Sequence, residues 1–256
     1  MIASLGMYDF GPAQGANDRL WTLLRDGLRQ RGIAAPEALT RGEHAYWDTW
    51  QSPDLLLSQT CGYPFRARLL DRVTYVGTPD YGVEGCPPGH YRSVFVVRAD
   101  DPRQSLQDFD GARFAYNEAL SQSGWAAPQT HAAKLGIRLP PALQSGGHRL
   151  SALAVAEGRA DIAALDAVTH AMLQEVEPKV AGLRALALTD PTPGLPYITA
   201  AGQDPAPIFA ALTDAIAALP APDRAILRLK GLVRIPRAAY LAVPNPPPPE
   251  QIAASG

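Results

Sequence analysis

The chain has 256 residues, 46% of them apolar and 19% charged, with a formal net charge of −2. That length suffices for one large domain or two small lobes with cores of their own, and the near-neutral balance excludes nucleic acid or an anionic membrane as the natural partner. No apolar run reaches the roughly 18–20 residues that span a bilayer, and no export signal is legible at the N-terminus. The expectation is a periplasmic or otherwise extracytoplasmic protein if a leader has been removed, and a cytoplasmic one if not.

Residues 2–8 read as a first strand and 11–15 as a glycine-rich loop. Leu20, Leu23, Leu24 and Leu28 then recur at helical spacing, and Gly32 supplies a C-cap. The runs 54–60 and 72–77 read as buried strands, so the first ninety residues predict β-α-β units of an open sheet. Tyr46, Trp47 and Trp50 read as packing beneath this lobe rather than a ligand cage, and Arg66, Arg68 and Arg72 as a solvated face. The β-branched run 93–98 predicts a strand, 106–109 a short helix, and 112–116 a strand that enters a Ser-Gln-Ser-Gly turn and a helix to Leu135. Leu150, Leu153 and Ala154 mark the buried stripe of the next helix, closed by Gly158; a strand at 161–165 and a helix from Val168 follow. Runs 183–188 and 197–201 read as strands leading back, followed by an amphipathic helix on Ile208, Ala211, Leu212, Ala215, Ile216 and Leu219 and another at 224–232. The tail 244–256, with four consecutive prolines, reads as extended or disordered. The division is therefore 1–92 with 186–243 as a first lobe, 93–185 as a second, and 244–256 as a tail. Ligands of open α/β sheets sit beyond the C-terminal strand ends, which places the site in a cleft between the lobes.

Two stretches carry chemistry: N-E-A-L-S-Q-S-G-W at 117–125, and 146–166, which opens G-G-H-R-L-S. Each sets hydroxyl, glycine or imidazole groups ahead of a helix, where unpaired N–H groups and the positive dipole end lie. Two such starts facing one point bind a tetrahedral oxyanion. Ser121 and Ser123 with Gly124 exceed what a single cap requires. Cys61 and Cys86 sit in turn-like sequence; one disulfide, conditional on export, and two thiols are both open. The five histidines lack metal-ligand spacing, and no nucleophile elbow or phosphate-binding loop is present, so no metal, cofactor or catalytic residue is expected.

The segments L-L-L-S-Q-T-C-G-Y-P, S-V-F-V-V-R-A-D-D-P, L-Q-D-F-D-G-A-R-F-A, S-Q-S-G-W and G-G-H-R-L-S-A-L-A-V-A-E-G-R-A-D-I-A-A-L-D span about 50–200. In content and order they resemble the phosphonate/phosphite/phosphate substrate-binding proteins of ABC transporters. The resemblance implies the α/β, two-lobed type II periplasmic-binding-protein fold with a ligand cleft between lobes. It implies a solute-binding protein, not an enzyme, that hands a small anionic ligand to an ABC permease. It implies ligand contacts from Ser121, Gln122, Ser123, Gly124 and His148, from Tyr8, Thr60 and Tyr63 by position in the first lobe, and from Asp166 at the cleft edge. Gln122 departs from the familiar S-T-S-G form of the loop. Asp166 would repel a fully ionised ligand and suits one carrying a protonated oxygen or an ammonium group. The alternatives are a cytoplasmic sensor or carrier of a small anionic metabolite on the same fold, or an enzyme of the thiamine-pyrimidine type.

Overall fold

The alternation of apolar runs and amphipathic stretches resolves, in a computed structural model describing residues 1–254, into two compact units. One comprises Met1–His90 and Pro193–Tyr240, the other Tyr91–Thr192 and the chain from Leu241 onward. The strands are β1 (Ile2–Ser4), β2 (Leu55–Gln59), β3 (Val73–Asp80), β4 (His90–Tyr91), β5 (Ser93–Arg98), β6 (Phe114–Tyr116), β7 (Pro141–Gln144), β8 (Ile162–Asp166), β9 (Leu183–Leu188), β10 (Thr192–Pro193), β11 (Tyr197–Ala200) and β12 (Gly231–Val233).

The first unit is built on a sheet ordered β1-β2-β11-β3-β12. β1 runs parallel to β2, whereas β11 is antiparallel to both β2 and β3. β2 and β3 therefore point the same way, and their C-terminal ends share an edge with the start of β11 at Tyr197. The first strand is shorter than residues 2–8: pairing ends at Ser4, whose hydroxyl bonds Ser58 (2.6 Å) and the Ala45 carbonyl (2.8 Å), and a 3-10 turn takes Gly6–Tyr8. The expected glycine-rich loop is largely helix, since the helix Ala13–Gln30 already includes Gly15. A helical glycine costs about 1 kcal/mol relative to alanine. Burying Leu20, Trp21, Leu24 and Leu28 on the face that meets the helix Ala206–Ala218 outweighs this, at roughly 2 kcal/mol per side chain. Gly32, with φ +75°, ends that helix as expected. The run 224–232 is not one helix: the helix Ala221–Ile226 stops, Arg228 takes φ +55°, Lys230 N–H donates to the Asp80 carbonyl, and the chain pairs with β3 as β12. Trp50 is core, its indole donating to Ser58 Oγ (3.1 Å) and the Gln59 carbonyl (3.2 Å), with Tyr46 and Trp47 edge-on against it.

The second unit carries the order β7-β6-β8-β5-β9. β6 is parallel to β7 and β8, and β5 is antiparallel to β8 and β9. The C-terminal ends of β6, β7 and β8 thus lie on one edge with the start of β5. Because β9 pairs with β5 along Val94↔Leu188 to Arg98↔Leu183, the return to the first unit comes at 192/193 rather than 185/186. The tail belongs to the second unit and is not simply extended. Its proline run leads into a helix, Pro249–Ala254, opened by a proline whose missing N–H is no loss at a helix start. In the helix His148–Ala156 the expected stripe is rotated: Leu150 is exposed, and Ser151, Ala152, Ala154 and Val155 face inward, small enough to seat the helix against β8.

Two side-chain expectations change. Cys61 and Cys86 are thiols in this structure, not halves of a disulfide. Each is placed by its own turn: the Cys61 carbonyl accepts from Phe65 N–H, and Cys86 N–H closes a turn on Val83. Arg66 is buried, its guanidinium 4.6 Å from the centroid of the Tyr63 ring, while Arg68 and Arg72 are exposed. A stacked guanidinium is weakly hydrated and tolerates this position.

Candidate anion-binding site

The second unit's edge gathers most of the candidates. After β6 the chain turns through a wide helical start, Gln122–Ala126, with Ser121 as N-cap. Ser121 Oγ accepts from Gly124 N–H at 3.0 Å, and the Ser121 carbonyl accepts from the Trp125 and Ala126 amides. Side chain and backbone of Ser121 thus fix the turn, and the Ser121 hydroxyl keeps its own proton to donate. Glycine at 124 is required by space: a Cβ there would collide with Asn117 Oδ1 and come within 2.8 Å of Asn117 Cγ and 3.2 Å of Ser121 Oγ.

The second helix start is tied to the first through the backbone. Beyond the β6–β7 ladder, Ser145 N–H donates to the Tyr116 carbonyl (2.8 Å) and Gly146 N–H to the Asn117 carbonyl (3.0 Å). Two residues on, His148 opens its helix with the ring against the first turn, Ser123 Oγ to His148 Nε2 being 2.9 Å. The residue keeps some surface, and its Nδ1 is fully buried. Burial pushes the imidazole down to about 4, with the Ala164 carbonyl acting weakly the other way, so the ring is neutral near pH 7. With the proton on Nε2, the ring donates to Ser123 Oγ and leaves the serine hydroxyl free to donate to an anion; with it on Nδ1, the serine donates to the ring.

Asp166, at the end of β8, is buried and caps the helix Ala167–Val176, accepting from the Val168 (2.8 Å) and Thr169 (2.9 Å) amides. Its charge is spread over a helix start, where carboxylates are stabilised. Gln122 and Ser123 are buried in the turn.

The candidates of the first unit lie on their own sheet edge. Tyr8 is buried edge-on to Tyr81, ring centroids 5.0 Å apart. Gln59 Nε2 donates to the Tyr81 hydroxyl (3.0 Å) and the Leu195 carbonyl (3.2 Å). A cavity of about 10 Å³, the room of one water, lies among Tyr8, Asn17, Gln59, Tyr81 and Tyr197. Thr60 is fully buried, its Oγ1 without a hydrogen-bond partner, and Tyr63 lies under Arg66.

Sequence reasoning passed over the roles of Asn117 and Ser93 and misread Arg66. Asn117 shapes the donor turn through Gly124. Ser93 is in register with Asp166 and has a buried Oγ with no hydrogen-bond partner; a serine opening a β-branched run was its only signal. Arg66, three residues after Tyr63, brings a buried cation to the Thr60–Tyr63 turn. A larger hollow of about 420 Å³ in the second unit lies at the opposite sheet edge, beside Arg98, Asp100, Glu157 and Lys179, where the Lys179–Glu157 pair (2.8 Å) already neutralises its own charge. Among the described residues, no cluster of His, Cys, Asp and Glu is arranged to hold a metal ion, and no helix is long and apolar enough to cross a membrane.

This fold is that of the two-lobed periplasmic binding proteins, a class that binds small solutes. The chain aligns with PhnD1 of Prochlorococcus marinus, solved with methylphosphonate, at TM-score 0.73 and 16% identity over 99% of this chain and 97% of that one. XAC2383 of Xanthomonas citri, solved with ATP, aligns at 0.70 and 16% identity over 99% and 95%. A phosphonate-transporter binding protein of Pseudomonas aeruginosa, PA3383, aligns at 0.68 and 17% identity over 94% and 83%. No curated protein sequence matches the chain significantly. Residues 56–239 match the family of periplasmic substrate-binding proteins of phosphonate ABC transporters, and the chain belongs to that family. It is a family of binding proteins, not of enzymes.

Proposed function

We propose that the protein captures a small phosphorus oxyanion, a phosphonate, phosphite or phosphate, outside the cytoplasm, and presents it to an ABC permease. The observation that carries this is the Ser123–His148 contact of 2.9 Å, which joins two helix starts at one sheet edge in a chain of the phosphonate-binding family. Helix starts and hydroxyls bind a tetrahedral anion without requiring net positive charge on the protein, in keeping with a net charge of −2.

The magnitudes suffice. Hydrogen bonds to a charged group contribute about 1.5–3 kcal/mol each, and micromolar affinity needs about 8 kcal/mol. Ser121, Ser123, the amides of the turn and His148 could supply this after the cost of ordering the turn around the ligand. On this reading Gln122, buried in the turn, would contact the ligand's substituent, and Asp166 would favour a ligand that brings a proton or an ammonium group.

Calorimetric titration against phosphate, phosphite, methylphosphonate, aminoethylphosphonate and sulfate, with Ser123→Ala and His148→Ala alongside, tests the proposal. Tight binding of one phosphorus oxyanion that falls at least about tenfold in both variants, the loss of one charge-assisted bond, supports it. Binding that survives both substitutions, or no binding to any of the five anions, sinks it. NMR of a bound ligand over hours separates retention from turnover.

A further inference from the structure

Trp125 closes the donor turn twice: its amide donates to the Ser121 carbonyl (3.2 Å), and its buried indole lies 4.9 Å from the Tyr116 ring centroid and 6.4 Å from that of Phe114. The indole Nε1–H does not reach solvent or sheet. It donates to the Pro247 carbonyl, at 3.2 Å, in the run of prolines at 246–249. A proline run has no N–H to compete for partners and is stiff before it docks, so it presents its carbonyls at low entropic cost.

The run is anchored just beyond this contact. Pro249 is buried and opens the helix Pro249–Ala254, with Gln251 N–H donating to the Pro248 carbonyl (3.0 Å), and this helix packs against β7. β7 is the neighbour of β6, the strand that delivers the turn, and Tyr116 at the end of β6 reaches across to Gln144 Oε1 (3.3 Å). Burial and then the Glu250 charge hold the Tyr116 phenol above its usual range, which keeps it a neutral donor. The tail therefore touches the turn at Trp125 and the sheet at the base of the turn, and supplies none of the candidate ligand contacts.

We propose that the C-terminal proline segment is a positioning strap for the donor turn: Pro247 and the helix behind it hold Trp125, and through Trp125 the Ser121 and Ser123 hydroxyls. Trp125 and Pro247 are positioning residues, not ligand contacts. The local ordering follows from geometry within the second unit alone; its effect on affinity rests on the anion site proposed above.

Two variants test this: a chain ending at Asn245, and Trp125→Phe, which keeps an aromatic ring and removes the donor. Amide hydrogen exchange without ligand is the primary readout. In the shortened chain the amides of 122–127 should exchange about tenfold faster or more while those of β5 and β8 keep their rates, a local loosening rather than a global loss. Trp125→Phe should give about a threefold rise, the low end of one neutral hydrogen bond. Unchanged rates at 122–127 in a folded shortened chain overturn the strap. Should that chain not fold, Trp125→Phe decides alone: a local rise supports the proposal, and an unchanged rate overturns it. Titration with methylphosphonate and inorganic phosphate follows, with binding about tenfold weaker in the shortened chain and threefold weaker in Trp125→Phe. If the unaltered protein binds neither anion, the affinity arm is read with whichever oxyanion of the five it does bind, and the exchange rates still decide the strap.

Discussion

The two sheet edges that carry the candidate residues are built on opposite principles. In the second unit the polar groups belong to helix starts: Ser121 caps a turn, His148 opens a helix, Asp166 caps another. In the first unit Tyr8 stands edge-on to Tyr81 and the Gln59 amide bonds the Tyr81 hydroxyl around room for a single water, while Thr60 Oγ1 is buried without a hydrogen-bond partner and Tyr63 lies under Arg66. A helix start has amides aimed outward and a fixed positive end, whereas the Tyr8, Tyr81 and Gln59 group offers shape. On the proposed reading, charge recognition falls to the second unit and fit around the substituent to the first, a separation that can be broken at defined places.

The largest effect is expected at Gly124. Alanine there must displace the Asn117 side chain, an overpacking that costs about 1–3 kcal/mol, and it shifts the turn that aims both serines. Gly124→Ala should lower the denaturant midpoint and weaken anion binding about a hundredfold, two lost bonds to charge. Asn117→Ala in the same chain should restore part of the stability, because the colliding atoms are gone; a double variant no better than Gly124→Ala contradicts the steric account.

The His148 ring sets the next effect. Its folded-state value of about 4 lies below the ordinary 6.5, so the unfolded chain takes up the proton first as pH falls. The stability this neutral histidine allows is complete above pH 6.5 and is lost progressively toward pH 4, by about 3 kcal/mol. His131 and His170 are also held down by burial and add slope of the same sign. The test is therefore the difference between the unaltered chain and His148→Gln in urea midpoints from pH 7.5 to 4.5. The variant should lose less stability on acidification, and equal slopes would place the effect elsewhere. An anion that draws a proton onto His148 would add proton uptake to its binding heat, visible as a dependence on buffer ionisation.

How much was legible in the sequence follows the same division. The donor turn could be read because its chemistry is local: Ser-Gln-Ser-Gly after a strand specifies a capped helix start within four residues, and His148 stands at the next start. Gly124 was legible as part of the motif, but its steric reason was not, since Asn117 meets it only once the turn is folded. The return at 192/193 was hidden because β9 reads as a strand whichever sheet it joins, and only its pairing with β5 assigns it. Leu150 misled because helix spacing locates a stripe and not which neighbouring stripe is buried; small residues face β8, and the leucine faces out. The proline tail read as extended because a proline run carries no pattern of its own, and its partners, Trp125 and β7, lie more than a hundred residues away in sequence. Arg66 read as solvated because a charge beside a charge usually is, and the Tyr63 face beneath it is a tertiary fact.

Smaller effects sharpen the contrast between the edges. Asp166→Ala removes a cap that holds two amides and should destabilise by about 1 kcal/mol, while Asp166→Asn keeps one acceptor and should lose less. If Asp166 also reads the ligand's proton, Asp166→Asn should shift preference toward the fully ionised anion even where stability is retained, so the order of affinities among phosphate, phosphite and methylphosphonate would change. The smallest effect on binding of the charge is expected from Tyr81→Phe. It removes the hydroxyl that accepts from Gln59 Nε2, leaving that amide the Leu195 carbonyl as partner, and it keeps the ring edge-on to Tyr8. The neutral hydrogen bonds that this hydroxyl makes with Gln59 and Tyr197, about 1 kcal/mol each, are at stake in stability, and the charge term in binding should be untouched. Affinity for the smallest anion should then change by less than about threefold, while affinity for one with a bulky substituent should fall further if, as proposed, the first unit fits the substituent. A large and equal loss for every anion would mean that a first-unit hydroxyl grips the charge itself, and the separation of roles between the two edges would have to be abandoned.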